Sequence, residues 1–258
     1  MSQIDPRAII DPSAVIGDDV VIGPWTLIGP DVKIGDGTVI HSHVVVRALT
    51  DIGKNNRIFQ FSTIGEDTPD LKYKGEPTRL IIGDSNTIRE GVTIHRGTVQ
   101  DQGLTSIGSD NLLMAYVHIG HDSVVGNNCI LVNNASLAGH VHVGDWAIIS
   151  GYALIHQFVS VGAHSFIGAG AYLTQDIPAY VMAAGTPTVP KTINSEGLRR
   201  RGFDKDQIAA IKKAYKIIYR QGLPLEEALE QIQALAAEQP VVQVLVDSVR
   251  ASKRGLQR

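Results

Sequence analysis

The chain has 258 residues and a single cysteine, Cys129, so no internal disulfide can form and no thiolate cluster is available to hold a metal. A reducing cytoplasm fits that composition. No stretch approaches the length of about 18 uninterrupted apolar residues that a membrane-spanning helix needs. The first residues, Met-Ser-Gln-Ile-Asp-Pro-Arg, show no basic region leading into an apolar one. Neither membrane insertion nor export is expected. Strong charge of one sign is also missing. A net charge of −3 gives no case for nucleic-acid binding over the whole surface, although local basic clusters can still meet anionic groups. The 43% hydrophobic content suffices for a substantial core, in one large domain or two smaller ones.

What the chain has is a repeat. Stepping by six from Ile10 meets Ile16, Ile22, Ile28, Ile34, Ile40, Val46, Ile52, Ile58 and Ile64 without a break. The phase is lost between Asp67 and Leu80, returns at Ile82, Ile88 and Ile94, and is lost again between Thr98 and Thr105. From Ile107 it runs through Leu113, Ile119, Val125, Leu131, Leu137, Val143, Ile149, Ile155, Val161 and Ile167 to Leu173. Glycine often follows the aliphatic, as in Ile16-Gly17, Ile28-Gly29 and Val161-Gly162. A six-residue period matches neither an α-helix nor ordinary strand alternation, but it suits short strands separated by turns. The reading is an all-β solenoid, a left-handed parallel β-helix of hexapeptide repeats. Three hexads close one triangular coil of about 18 residues, with aliphatics inward and small or polar residues at the corners. It spans residues 1–190, with loop insertions near 67–80 and 98–105.

After Pro190 the six-residue step disappears and helical signals replace it. Asp204 followed by Gln207 resembles a capping box, and Ile208, Ile211, Tyr215 and Ile218 recur at helical spacing up to Gly222. A second segment carries Leu225, Leu229, Ile232 and Leu235 and stops before Pro240, and a third runs from about Val241 to Ser252. Residues 191–258 are expected to form a C-terminal α-helical domain.

The coil converts sequence positions into columns, because residues one coil apart lie above one another at roughly 4.8 Å. His121, Gly139 and Gln157 then share one column. Asp122 and His140 share the next, and His156 lies above Ala138 in the column before. His118 stands a few residues away along the same side. Imidazoles gathered at one corner of a packing solenoid suggest proton transfer, given their near-neutral pKa. Read singly, outward histidines such as His142 and His164 form no more than a hydrogen-bonded ladder. A zinc site using His118, His121 and His140 is the sharper rival, since some trimeric solenoids of this kind bind metal through three histidines.

Several stretches carry a more specific signal: Asp70-Leu71-Lys72-Tyr73-Lys74-Gly75-Glu76-Pro77-Thr78-Arg79, Ile94-His95-Arg96-Gly97-Thr98, His118-Ile119-Gly120-His121-Asp122, Ala138-Gly139-His140, His156-Gln157-Phe158, and Glu196-Gly197-Leu198-Arg199-Arg200-Arg201-Gly202-Phe203. Together they closely resemble the UDP-N-acetylglucosamine 3-O-acyltransferases, which begin lipid A synthesis, over nearly the whole chain. The resemblance implies a homotrimer with clefts between neighbouring solenoids. It implies transfer of an (R)-3-hydroxyacyl group from acyl carrier protein to UDP-N-acetylglucosamine, with no cofactor beyond the thioester donor and no resident metal.

By the same resemblance His121 is the general base, Asp122 supports it, and the Gly139 N–H stabilises the oxyanion. Neighbouring strand residues point to opposite faces, so the pairing of His121 with Asp122 requires a corner or bend. The first loop, Asp70, Leu71 and Lys72, would hold the glucosamine, with His118 near its hydroxyls. His140, His156 and Gln157 would line the acyl and nucleotide side, and Asn194, Glu196, Arg200 and Arg201 would meet uridine and phosphate. Lys212, Lys213, Lys216 and Arg220 extend a basic surface toward the acidic carrier protein. Ala169 stands at the position that limits acyl length, which implies a chain of about 12 carbons. The competing enzymes are the related N-acyltransferase, which usually carries a domain before its solenoid, and a sugar O-acetyltransferase using coenzyme A. Here the hexads begin at Ile10.

Overall fold

The computed structural model describes residues 2–258. Among these residues, short strands of mostly two residues stack into three sheets of 11, 9 and 8 strands, the walls of a triangular prism. Wall one runs from Gln3–Ile4 to Val181–Ala184 and Val189–Ile193, wall two from Ile9–Ile10 to Tyr172–Leu173, and wall three from Val15–Ile16 to Ser160–Val161. Pairing is parallel and in register, as in His118↔Ser136↔Leu154↔Tyr172, until Val189–Ile193 turns back antiparallel. Each strand therefore bonds to its counterpart one coil away, which closes the backbone accounting without an α-helix crossing between strands.

The aliphatics of the six-residue step point inward. Ile28, Ile40, Ile64, Ile94, Ile119 and Leu137 are buried, whereas Ile10 and Ile16, at the open first coil, are partly exposed. Their burial is the main stabilising term, at about 25 cal/mol per Å² of apolar surface removed from water. The residue two places before each is also inward and small or branched, as with Val32, Val44, Ala135 and Val141. Glycine follows the aliphatic because the coils leave no room for more. A Cβ on Gly120 would fall 2.7 Å from the Ala138 carbonyl carbon. The two loops shift the chain without breaking the stack. A buried asparagine ladder crosses them, Asn56 to Asn86 to Asn111 to Cys129, at sequence steps of 30, 25 and then 18.

The corners differ from expectation. They carry a residue in the left-handed backbone region, and many of these residues are large: Trp25, Phe61, Tyr116, Trp146, Tyr152 and Phe158 all have φ near +60°. The turn constrains the backbone and not side-chain size, because the side chain projects outward from the prism edge. The strain, about 1–2 kcal/mol per residue, persists because the ladders on both sides of each corner fix the path.

The sequence boundary at residue 190 falls inside the strand Val189–Ile193, and the helical region opens earlier than the capping box suggests. Helix α1 (Ser195–Arg200) is capped by the Asn194 side chain, which accepts from the Gly197 N–H. Helix α2 (Lys205–Arg220) starts at the expected capping box, with Asp204 and Gln207 bonded reciprocally. Helices α3 (Leu225–Glu238) and α4 (Gln243–Arg250) follow, the latter after a short turn at Pro240–Val242. The region is clasped to the last coils by the buried Asp176. Its carboxylate accepts from the Ser160 N–H, the Ser252 hydroxyl and the Lys253 N–H. No helix among the described residues is long and apolar enough to cross a membrane.

Candidate active site

The strand His118–Ile119 of wall two ends at a corner formed by His121 and Asp122. Asp122 has φ +57°, so the two side chains, which would diverge on a strand, converge here. His121 Nδ1 lies 2.8 Å from Asp122 Oδ2. That carboxylate is buried and takes two further bonds from Thr98, one from its N–H at 2.8 Å and one from its hydroxyl at 2.7 Å. Burial pushes the Asp122 pKa up, but the His121 bond, the two Thr98 bonds and the nearby His140 outweigh it and leave the pKa below the usual carboxylate value. The ionised carboxylate holds the proton on Nδ1 and leaves Nε2 as an acceptor.

One coil on lies Gly139. A Cβ built there would fall 2.6 Å from both Nε2 and Cε1 of His121, so the imidazole edge occupies space that only glycine leaves open. The Gly139 N–H donates to no group among the described residues, while its carbonyl accepts from Phe158 N–H at 3.2 Å. His140, also at a left-handed corner, crosses His121 edge-on at 5.0 Å and stacks on Phe158 at 4.4 Å. Its Nδ1 bonds Asp101 of the second loop at 2.7 Å. A cleft of about 950 Å³ opens over this corner, with His121, His140, Gln157, Asp70 and Lys72 on its walls.

The other expected residues lie elsewhere. His118 bonds the Thr93 hydroxyl at 2.8 Å and crosses His95 edge-on; burial, with His95 and His121 nearby, pushes its pKa down to about 4. His156 bonds the Gln157 carbonyl at 3.1 Å and does not line the cleft. Leu71 is fully exposed at the tip of the first loop. Ala169 is exposed at the other end of wall two, at the corner between walls one and two. Thr98 and Asp101, which hold Asp122 and His140, were missed by column counting. They lie on the insertion, 24 and 39 residues from their partners, so no whole number of coils connects them. The stretch Ile94-His95-Arg96-Gly97-Thr98 carries the available signal. Cys129 is buried and its thiol is pushed up to about 12 by that burial, so it is no nucleophile.

The chain matches the family model described as Udp N-acetylglucosamine O-acyltransferase, Domain 2, over residues 176–257, and the bacterial transferase hexapeptide model over residues 13–48 and 104–139. A relative from Stutzerimonas stutzeri (strain A1501), named acyl-(acyl-carrier-protein)--UDP-N-acetylglucosamine O-acyltransferase, is 62% identical over 258 residues and 100% of both chains. The chain belongs to the UDP-N-acetylglucosamine O-acyltransferase family. Solved structures agree. A UDP-N-acetylglucosamine O-acyltransferase from Moraxella catarrhalis superposes with TM-score 0.98 at 49% identity, covering 99% of each chain. A UDP-N-acetylglucosamine acyltransferase from Francisella novicida gives TM-score 0.98 at 45% identity, covering 99% of this chain and 94% of that one.

Within this O-acyltransferase, the residues expected to meet a nucleotide divide into two groups. Gln157 and His140 line the cleft, whereas Asn194, Glu196, Arg200 and Arg201 do not line it within one protomer. Asn194 is buried as the α1 cap and donates to the His164 carbonyl at 2.9 Å. Glu196 pairs with Arg199 and Arg200 on the surface, and Arg201 lies over the Trp146 ring and meets His164 Nδ1 at 3.2 Å. The only cluster spaced for a metal among the described residues is His121, Asp122 and His140; His118 is not part of it. Its ligand atoms already face one another, with the nearest pair, His121 Nδ1 and Asp122 Oδ2, in a hydrogen bond.

A pH dependence follows for stability. Burial lowers both His118 and His164 from the ordinary value of 6.5 to about 4. Between those values the unfolded chain binds protons that the folded chain does not, so stability rises with pH and is lost as pH falls from about 6.5 toward 4. Urea midpoints measured across that window are expected to fall on acidification, and less steeply in His118→Asn. An unchanged slope in that variant would contradict the assignment.

Proposed function

We propose that the chain transfers an (R)-3-hydroxyacyl group from an acyl carrier protein thioester to the 3-hydroxyl of UDP-N-acetylglucosamine, the first step of lipid A synthesis. The observation that carries the mechanism is the His121–Asp122 pair facing Gly139 one coil away. His121 Nε2 takes the proton of the sugar hydroxyl as its oxygen attacks the thioester carbonyl. The carbonyl oxygen becomes an anion, and the unclaimed Gly139 N–H is the donor offered to it. Collapse of the tetrahedral intermediate breaks the carbon–sulfur bond, and the imidazolium returns the proton to the departing thiolate. The buried Asp122 carboxylate stabilises the imidazolium between the two transfers and keeps the ring aimed.

Asp70 and Lys72 reach the cleft from the first loop and hold the glucosamine, with His140 and Gln157 on the opposite side. The nucleotide patch of Asn194, Glu196, Arg200 and Arg201 completes the site from a neighbouring protomer in a homotrimer. Large apolar side chains left exposed along the corners and walls, including Phe61, Tyr116, Tyr152 and Leu154, support that association. The arrangement is a cytoplasmic one, with the carrier protein meeting the basic face of Lys212, Lys213, Lys216 and Arg220. The acyl chain runs from Gly139 across the outer face of wall two, past Ser136, Leu154 and Tyr172, toward Ala169, where a length of about 12 carbons ends. Each methylene adds about 0.8 kcal/mol only where it finds room.

Carrier-protein-dependent acylation of UDP-N-acetylglucosamine tests the reaction. His121→Ala is expected to lose activity by about 10²- to 10⁴-fold with its fold retained. Undiminished transfer by that variant would remove the mechanism, and no transfer by the native chain would remove the function. With a panel of acyl donors, Ala169→Gly is expected to move the preferred chain to longer acyls; an unchanged preference would contradict the ruler.

A further inference from the structure

Arg96 has no part in the chemistry above, yet it is one of three buried charged side chains among the described residues, with Asp122 and Asp176. A cation taken from water into a stack of aliphatics is retained only where hydrogen bonds return most of the lost hydration. The Arg96 bonds lead to one place. Nη1 donates to the Ala48 carbonyl at 3.2 Å and the Gly65 carbonyl at 2.9 Å, fixing the guanidinium to the two coils below. Nη2 donates to the Asp67 carboxylate and to the Tyr73 hydroxyl, the latter at 2.8 Å.

Asp67 and Tyr73 bracket the short segment that contains Asp70 and Lys72. Inside the bracket, the Lys72 N–H donates to Asp70 Oδ1 and the Tyr73 N–H to the Asp70 carbonyl, both at 2.9 Å, so the turn is internally fixed. The base of the loop is fixed too, by Arg96 N–H to the Glu66 carbonyl at 3.0 Å and by His95 Nδ1 with the Asp67 carbonyl at 2.7 Å. Nothing packs the tip from outside, where Leu71 is fully exposed. The location of the turn over the cleft is therefore set from beneath, by one planar fork that reaches both ends of the segment at once. A lysine ammonium keeps the charge but cannot span the coil carbonyls, a carboxylate and a phenol together.

We propose that Arg96 is the positioning residue of the sugar-binding loop, holding Asp70 and Lys72 over the cleft before substrate arrives. The inference rests on the reading of Asp70 and Lys72 as sugar contacts. Loosening the bracket lowers the fraction of enzyme with a competent loop, and apparent affinity falls by that fraction, whereas saturating sugar restores the ordered state. The KM for UDP-N-acetylglucosamine should then rise while kcat holds.

Steady-state kinetics and amide hydrogen exchange over residues 67–78 test this on the full-length enzyme. Arg96→Lys is expected to raise the KM for UDP-N-acetylglucosamine about tenfold, with kcat within about twofold, the KM for acyl carrier protein unchanged, and loop exchange accelerated until the sugar nucleotide is added. Tyr73→Phe, which removes the Arg96 bond together with the hydroxyl's own bonds to Asp67 and the Glu76 carbonyl but leaves the buried charge paired, should give a smaller rise of about threefold in the same direction. Asp70→Asn separates the two levels. If it raises the sugar KM while Arg96→Lys and Tyr73→Phe keep native sugar KM and native loop exchange, the positioning role is overturned and the sugar reading stands. If Asp70→Asn leaves the sugar KM unchanged, the sugar reading fails and the inference with it. A proportional fall of all kinetic parameters in Arg96→Lys and Tyr73→Phe would mark general destabilisation and also overturn it.

Discussion

Parallel strands bonded at just under 5 Å leave one coil little choice in how it sits on the next. Each wall of the prism ties a residue to its counterpart one coil away, as Leu112 is tied to Ile130 and Ile130 to Ile148. Sequence position thereby becomes position in space, and residues of different coils are held against one another with the precision of a hydrogen-bond ladder. The imidazole of His121 and the backbone of Gly139 are brought together in this way, by the stack itself and not by a loop. Rigid elements place side chains more tightly than loops do, and here the direction of stacking separates the His121 imidazole from the Gly139 backbone.

The corners supply what the walls cannot. On a strand His121 and Asp122 would face apart; the left-handed residue at the turn brings them to 2.8 Å. The same geometry recurs at His140 and Phe158, where it aligns rings instead of a hydrogen-bonded pair. Left-handed backbone at a non-glycine residue is locally unfavourable, and it survives because the ladders above and below determine the path. The insertions complete the polar side of the site. Thr98 and Asp101 bring hydrogen-bond partners to Asp122 and His140 from outside the repeat, and Arg96 ties the first loop to its coil.

Much of this was legible in the sequence because a period is insensitive to detail. The six-residue step marks the walls, the inward aliphatics and both loop positions, and column counting alone puts Gly139 against His121. Three kinds of feature escaped it. Contacts made by the insertions, such as Thr98 to Asp122, lie off the repeat and have no column. Corner composition is not set by the repeat, because a left-handed turn restricts φ while leaving an outward side chain free, so Trp25 and Phe61 stand where the pattern predicts small or polar residues. The cap that Asn194 provides to α1 is likewise invisible in the sequence, because the helix is too short to announce itself by periodicity. Residue types near Asn194 suit an anion, but only the folded chain shows which of their bonds are already made.

The stacking of His121 on Gly139 is tested most directly by the turnover of Gly139→Ala. The added methyl would enter the space of the imidazole edge, 2.6 Å from Nε2, without changing any ionisable group. With the fold retained by circular dichroism and the oligomeric size unchanged, kcat is expected to fall by about 10²-fold or more. A variant that turns over within about twofold of the native enzyme would show that base and backbone donor do not face the same carbonyl.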